Sequence, residues 1–211
     1  MRKAYTKEIQ ASISPDEALE LLKTGNQRFV ENKKEDKDLL DQMKDTSTGQ
    51  YPFATVLSCI DSRVSSELIF DQGIGDIFSA RVAGNIVNED ILGSMEFACK
   101  LAGTKIVVVL GHTSCGAVKG ACDSAQMGNL TALLSKIKPA VAAVKKPDED
   151  SQRNSKNLDF VNEVAKKNVE LTLDNIRMKS PVLKEMEENN EIRIIGGMYN
   201  ITSGKVEFYK V

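Results

Sequence analysis

The sequence predicts an α/β fold: a central, mostly parallel sheet of about four strands plus an antiparallel C-terminal strand, flanked by helices and preceded by an N-terminal helical arm. Three observations predict it. Short, apolar, β-rich runs at Phe53–Ser58 and Ile106–Leu110 read as strands buried on both faces. Helical patterns alternate with the strands, which argues for parallel neighbours joined by right-handed crossovers. The end of the chain, Glu191–Tyr199 and Lys205–Tyr209, reads as two strands meeting across an Asn200–Gly204 turn.

The elements follow in order. Ser14-Pro15-Asp16-Glu17 is a capping box with proline at the first helical position, and it opens an amphipathic helix through Ala18, Leu21, Leu22, Phe29 and Val30. Residues 31–50 are polar and lysine-rich and end in a Ser-Thr-Gly loop. The Phe53–Ser58 strand, a short helix over Val64–Phe70 and a second strand over Asp76–Val82 come next. Apolar residues return at helical spacing over Glu89–Leu101. Ile106–Leu110 is the clearest strand; Gly111 is expected to end it, with a helix starting near Ser114. A helix around Leu130–Val144, a charged stretch with Pro147 and a long helix near Asn157–Met178 complete the chain before its final strands. At 211 residues this makes one generous domain, 1–211, with the arm over about 1–50 and the α/β core over about 51–211.

Composition excludes several classes. A net charge of −2 argues against a dedicated nucleic-acid binder, and lysine pairs such as Lys33-Lys34 stand beside acids as solvated faces do. No run approaches the roughly 18 apolar residues of a membrane span. The N-terminus has no apolar core of a secretory signal, so a cytoplasmic location is expected, or a periplasmic one had a signal been removed before numbering began. Four cysteines in such a chain point to metal binding or catalysis rather than to disulfides.

The chemistry concentrates in two clusters. Cys59-x-Asp61-x-Arg63 follows the first strand, and the chain's single histidine, His112, stands three residues before Cys115 after the Ile106–Leu110 strand. The two clusters offer two thiolates, one imidazole and one carboxylate, a ligand set that suits tetrahedral zinc, and soft sulfur argues against magnesium or calcium. Open α/β sheets collect ligands beyond the carboxyl ends of their strands, so two neighbouring parallel strands would deliver both clusters to one edge. Other motifs carry less. Gly111–Gly116 mimics a phosphate loop, but Ala117-Val118 replaces the Lys-Ser/Thr pair. Gly73-x-Gly75 lacks the rest of a dinucleotide fingerprint, and no C-x-x-C supports thiol–disulfide exchange. Asp71 and Asp76 read as turn formers, Cys99 and Cys122 as small buried helix residues, and Arg81 either lines the site or braces a dimer.

Cys59-x-Asp61-x-Arg63-Val64, Arg81-Val82-Ala83-Gly84-Asn85 and Gly111-His112-x-x-Cys115-Gly116 together resemble the β-class carbonic anhydrases, in order from about Ser14 to the last strands. The resemblance implies reversible hydration of carbon dioxide to bicarbonate, with one Zn2+ per chain on Cys59, His112 and Cys115 and a zinc-bound hydroxide oriented by an Asp61–Arg63 dyad. It also implies substrate contacts from Gln50, Phe78 and Gly116, and a homodimer or dimer of dimers with the N-terminal helix on the partner. Two departures stand out. Phe97 replaces a tyrosine common in the family, and Val56 replaces a tryptophan of its bicarbonate-regulated members, which favours a constitutively open site. Since His112 is a zinc ligand, no histidine is left to carry the proton away, and turnover is expected to depend on buffer. A structural zinc site, or hydrolysis of COS or CS2, are the rival readings.

Overall fold

Capping explains where most helices of this computed structural model begin; it describes residues 2–209. Thr6 accepts the Ile9 N–H to open α1 (Lys7–Ser12), a short helix that the sequence pattern did not signal. The expected capping box of Ser14 and Glu17 opens α2 (Pro15–Val30), and Asp38 caps α3 (Leu39–Asp45) within the polar stretch. There follow β1 (Ala54–Ser58), α4 (Ser66–Ile69), β2 (Ile77–Arg81) and α5 (Glu89–Glu96), which is capped by Asn88 and prolonged by a wider π-type turn over Phe97–Leu101. Next come β3 (Ile106–His112), α6 (Gly116–Cys122), α7 (Gly128–Ser135) and α8 (Lys138–Ala143). The last elements are α9 (Leu158–Lys179), α10 (Pro181–Glu188), β4 (Arg193–Tyr199) and β5 (Val206–Phe208).

The sheet runs β2-β1-β3-β4-β5, with β5 antiparallel to β4 and the other pairs parallel. Period-two alternation divides its apolar side chains between two clusters. Leu57, Val107, Val109 and Ile194 pack with α5, α6, α9 and α10, whereas Val56, Val108, Leu110 and Ile195 pack with α2 and α4. Both faces of β1 and β3 are therefore buried, which is why these strands are almost wholly apolar.

Two expectations need correction. Gly111 does not end β3; the strand continues to His112, paired with Tyr199 of β4. Glycine is needed at 111 for space, since a Cβ there would lie 2.6 Å from Val169 Cγ2 and 2.7 Å from Met198 Sδ. The single helix expected over Leu130–Val144 is two, α7 and α8, with Pro139 in the first turn of the second.

The N-terminal arm is pinned to its own chain. Ala18, Leu19 and Leu22 of α2 join the cluster of Phe53 and Phe70. Buried Asn26 donates to the Ile69 and Gly204 carbonyls at 3.1 and 2.9 Å and accepts the Val206 N–H at 2.8 Å. Asp71, at φ +49°, is a turn former as expected, but it is also a buried counter-ion that takes Arg28 Nε at 2.6 Å, the Glu35 N–H at 3.0 Å and the Lys37 ammonium. Asp76 does the same for Arg2.

Candidate metal centre

The parallel register aligns Ser58 of β1 with Leu110 of β3, so Cys59 and His112 emerge at the same edge of the sheet. Cys115 reaches that edge through a tight turn in which Ser114 has φ +56° and donates its N–H to Asn162 Oδ1 at 2.9 Å. One donor atom from each of Cys59, His112 and Cys115 lies within 4.8 Å of the others, and all three residues are buried.

The donor set passes a direct test of fit. The two sulfurs are 3.9 Å apart; two bonds of about 2.3 Å at a tetrahedral angle require about 3.8 Å. His112 Nδ1 faces the Thr113 carbonyl at 2.9 Å, so the neutral ring carries its proton there and leaves the Nε2 lone pair free. Nε2 is buried and has no hydrogen-bond partner among the described residues, which an ion between it and the sulfurs would supply. Thr113 is held in turn by its N–H to the Tyr199 carbonyl at 3.0 Å and by its hydroxyl oxygen, which accepts from the Ile201 N–H at 3.1 Å. The Cys115 thiol, donating to Cys59, holds the Cys59 thiol well below the ordinary thiol range, aided by the Gly84 N–H at 3.4 Å. Cys115 is pushed up by that neighbour and by burial. A soft dication therefore meets one ready thiolate and a second thiol that it must deprotonate.

Asp61 and Arg63 stand at the rim. Arg63 Nε donates to Asp61 Oδ1 at 2.9 Å and Nη2 to Oδ2 at 2.8 Å, while the Arg63 backbone N–H reaches Oδ1 at 3.0 Å. This fork holds the Asp61 carboxyl far below the usual carboxylate range, so it is ionised across the working pH range. Asp61 Oδ2 lies 3.9 Å from His112 Nε2. The carboxylate thus faces the donor cluster while its guanidinium partner keeps it engaged outside.

The remaining expected residues divide. Gly116, the first residue of α6 next to Cys115, is exposed, with open space where a Cβ would stand. Phe78 is half-buried on β2, with its ring 6.3 Å from that of Phe97. Gln50 is exposed at the end of the arm and bonds to none of the three candidate ligands. Val56 is buried in β1. Burial pushes the Cys99 and Cys122 thiols up to about 11; Cys99 is buried as expected, whereas Cys122, at the end of α6, is half-buried. The pseudo-phosphate loop is the end of β3 and a turn.

Sequence reasoning had no role for several groups around the ligands. The turn after β2 presents Gly84, at φ +71°, whose N–H points at Cys59 Sγ and whose carbonyl accepts from buried Asn168 Nδ2 at 2.8 Å. Arg81, left between two roles, donates from Nε to the Cys59 carbonyl at 3.0 Å and from Nη2 to the Asp61 carbonyl at 2.7 Å. The Arg81–Asn85 run was the only signal for these contacts; nothing in the α9 pattern marked Asn168.

Comparison with known proteins agrees with this geometry. Residues 54–206 match the family model described as carbonic anhydrase. The chain is similar to carbonic anhydrase 2 of Mycobacterium tuberculosis, at 31% identity over 198 residues covering 91% of each protein. It is also similar to a carbonic anhydrase of Mycolicibacterium smegmatis, at 30% identity over 200 residues, 92% of this chain and 93% of the relative. Among solved structures, the β-carbonic anhydrase CcaA superposes with a TM-score of 0.72 at 26% identity, covering 81% of this chain and 85% of that one.

Proposed function

The chain belongs to the β-class carbonic anhydrase family, whose members are zinc enzymes with carbonate dehydratase activity, and on that premise we propose how its own residues hydrate carbon dioxide. Cys59, His112 and Cys115 hold the ion, which is the donor set that can take one. Zinc held there would supply the Lewis acidity that makes water a nucleophile, at a more alkaline pH than a three-histidine site because two thiolates offset its charge.

The residues around it then do the positioning. Asp61, an acceptor only while ionised, takes a hydrogen bond from the attacking hydroxyl at Oδ2 and so turns the oxygen lone pair towards the carbon of CO2. Arg63 keeps that carboxylate off the metal by holding both of its oxygens. Gln50, Phe78 and Gly116 line the substrate side, where an amide N–H of Gln50 would meet the developing bicarbonate oxygen. The hydroxyl oxygen forms the new C–O bond as one C=O π bond opens and places its electron pair on the oxygen facing Gln50; bicarbonate leaves, and the proton that water gave up in becoming the nucleophile passes to solvent. The observation that supports this reading is the Asp61–Arg63 fork standing 3.9 Å from an unpartnered, buried His112 Nε2.

The same reading makes the chain a single domain, since both apolar clusters pack on one sheet. Exposed Leu40, Ile60, Phe97 and Leu101 are the surface expected of a homodimer or a dimer of dimers. A cytoplasmic location suits a site that needs two reduced cysteines, and no helix among the described residues is long and apolar enough to cross a membrane.

The test is stopped-flow CO2 hydration by the metal-assayed protein and by Asp61→Asn, from about pH 6.5 to 9. We expect one zinc per chain in both, activity rising towards alkaline pH, and a loss of about 100-fold or more in the variant. An Asp61→Asn enzyme with wild-type rates would overturn the dyad. Zinc-loaded protein with no hydration would overturn the substrate, and COS would be tried next.

A further inference from the structure

We propose that Arg81 is a positioning residue that locks the Cys59 ligand and the Asp61–Arg63 pair into one rigid unit; the proposal rests on the function proposed above. Arg81 ends β2, in register with Ser58, the residue before Cys59. Its guanidinium spends Nε on the Cys59 carbonyl at 3.0 Å and Nη2 on the Asp61 carbonyl at 2.7 Å. No carboxylate of its own chain pairs with it among the described residues, and these two bonds are its engagement within that chain.

Within its own chain the segment it holds has few other ties. Between the two carbonyls stands Ile60, whose side chain is exposed (61%) and packs into neither apolar cluster. Ser62 and Arg63 are exposed as well. The Asp61 carbonyl also receives the Val64 N–H at 2.9 Å, which closes the turn on one side, and Arg81 closes it on the other. Three residues later the same strand exit delivers the Gly84 N–H to Cys59 Sγ at 3.4 Å. The end of β2 therefore grips Cys59 at both its carbonyl and its sulfur, and it grips Asp61 through its backbone while Arg63 grips its carboxylate. A planar fork is needed to span two carbonyls; a lysine ammonium carries the charge but reaches one of them.

The experiment uses Arg81→Lys and Arg81→Gln holoenzymes, zinc-loaded for kinetics and cobalt(II)-loaded for visible spectra. Zinc release to a chromogenic chelator should speed up about 10–100-fold in both variants, with a comparable loss in kcat and an altered cobalt d–d envelope. Melting temperatures should stay within a few degrees of wild type, because Arg81 is exposed. An Arg81→Lys enzyme with wild-type release rate, spectrum and kcat would overturn the clamp. So would a loss of activity that raising the protein concentration restores, since that would make Arg81 an assembly residue. If wild type itself hydrates no CO2, the function proposed above fails, while the release rates and cobalt spectra still decide whether Arg81 holds the site.

Discussion

Gly84→Ala tests the structural logic of the metal centre most sharply, because its cost has two separable parts. The first is conformational: at φ +71° an L-residue pays about 1–2 kcal/mol that glycine does not. The second is steric. An added Cβ would lie 2.5 Å from Ile137 Cδ1 and 3.4 Å from Ala117 Cβ. Ile137 is fully buried, so relief requires repacking, at about 1–3 kcal/mol. Together these predict about 2–5 kcal/mol, which in a chain of this length lowers the melting temperature by about 5–15 °C. Differential scanning calorimetry at fixed zinc loading reads this directly. The parts separate in a cycle with Ile137→Val, which deletes the methyl group in the tightest contact. The double variant should be about 1–2 kcal/mol more stable than the sum of the two single changes. Strict additivity, or a single variant melting within about 2 °C of wild type, would refute the argument.

Two further outcomes follow from charge. Asp71→Asn should cost about 3 kcal/mol at neutral pH, because it strips the buried counter-ion from Lys37 and Arg28. Burial raises the Asp71 carboxyl, but its bonds to Lys37, Arg28 and the Glu35 N–H together hold it below the ordinary value; its contribution is therefore complete above about pH 4 and lost as pH falls further. Urea unfolding of both proteins at pH 7 and pH 3 checks this: a gap that stays constant between the two contradicts it. In initial-rate assays at fixed ionic strength, CO2 hydration should rise with imidazole buffer, since the chain's one histidine belongs to the candidate ligand set; a flat buffer series would show another route for the proton.

The sequence made the centre of this protein legible and its margins obscure, for physical reasons. β1 and β3 are buried on both faces, so their apolar runs could be read directly, and their positions brought Cys59, His112 and Cys115 to one edge. α3 hid in the polar stretch because its apolar residues, Leu39, Leu40 and Met43, are exposed and form no buried stripe. It is held by Gln42, which accepts the Ile74 N–H at 3.1 Å and donates to the Arg2 carbonyl at 3.0 Å. α10 could have been found, since Ser180-Pro181 repeats the cap-and-proline start of α2. Gly111 misled because a glycine after a strand reads as a terminator, whereas here it makes room for Val169 and Met198. Bonds to backbone groups, such as those of Arg81, Asn168 and Thr113, leave no pattern in the sequence, since a carbonyl is present at every residue.

The ligands come from strands that are neighbours in the sheet but distant along the chain, with α4, β2 and α5 between them. In a domain whose ligands sit a few residues apart, the ion can gather them early and organise the polypeptide around itself. Here Cys59 meets His112 only once a long crossover has closed and β1 lies beside β3, a slow, non-local event. The donor set is thus a product of the sheet rather than a seed for it: β1 and β3 have to pair before three donors stand close enough to share one ion.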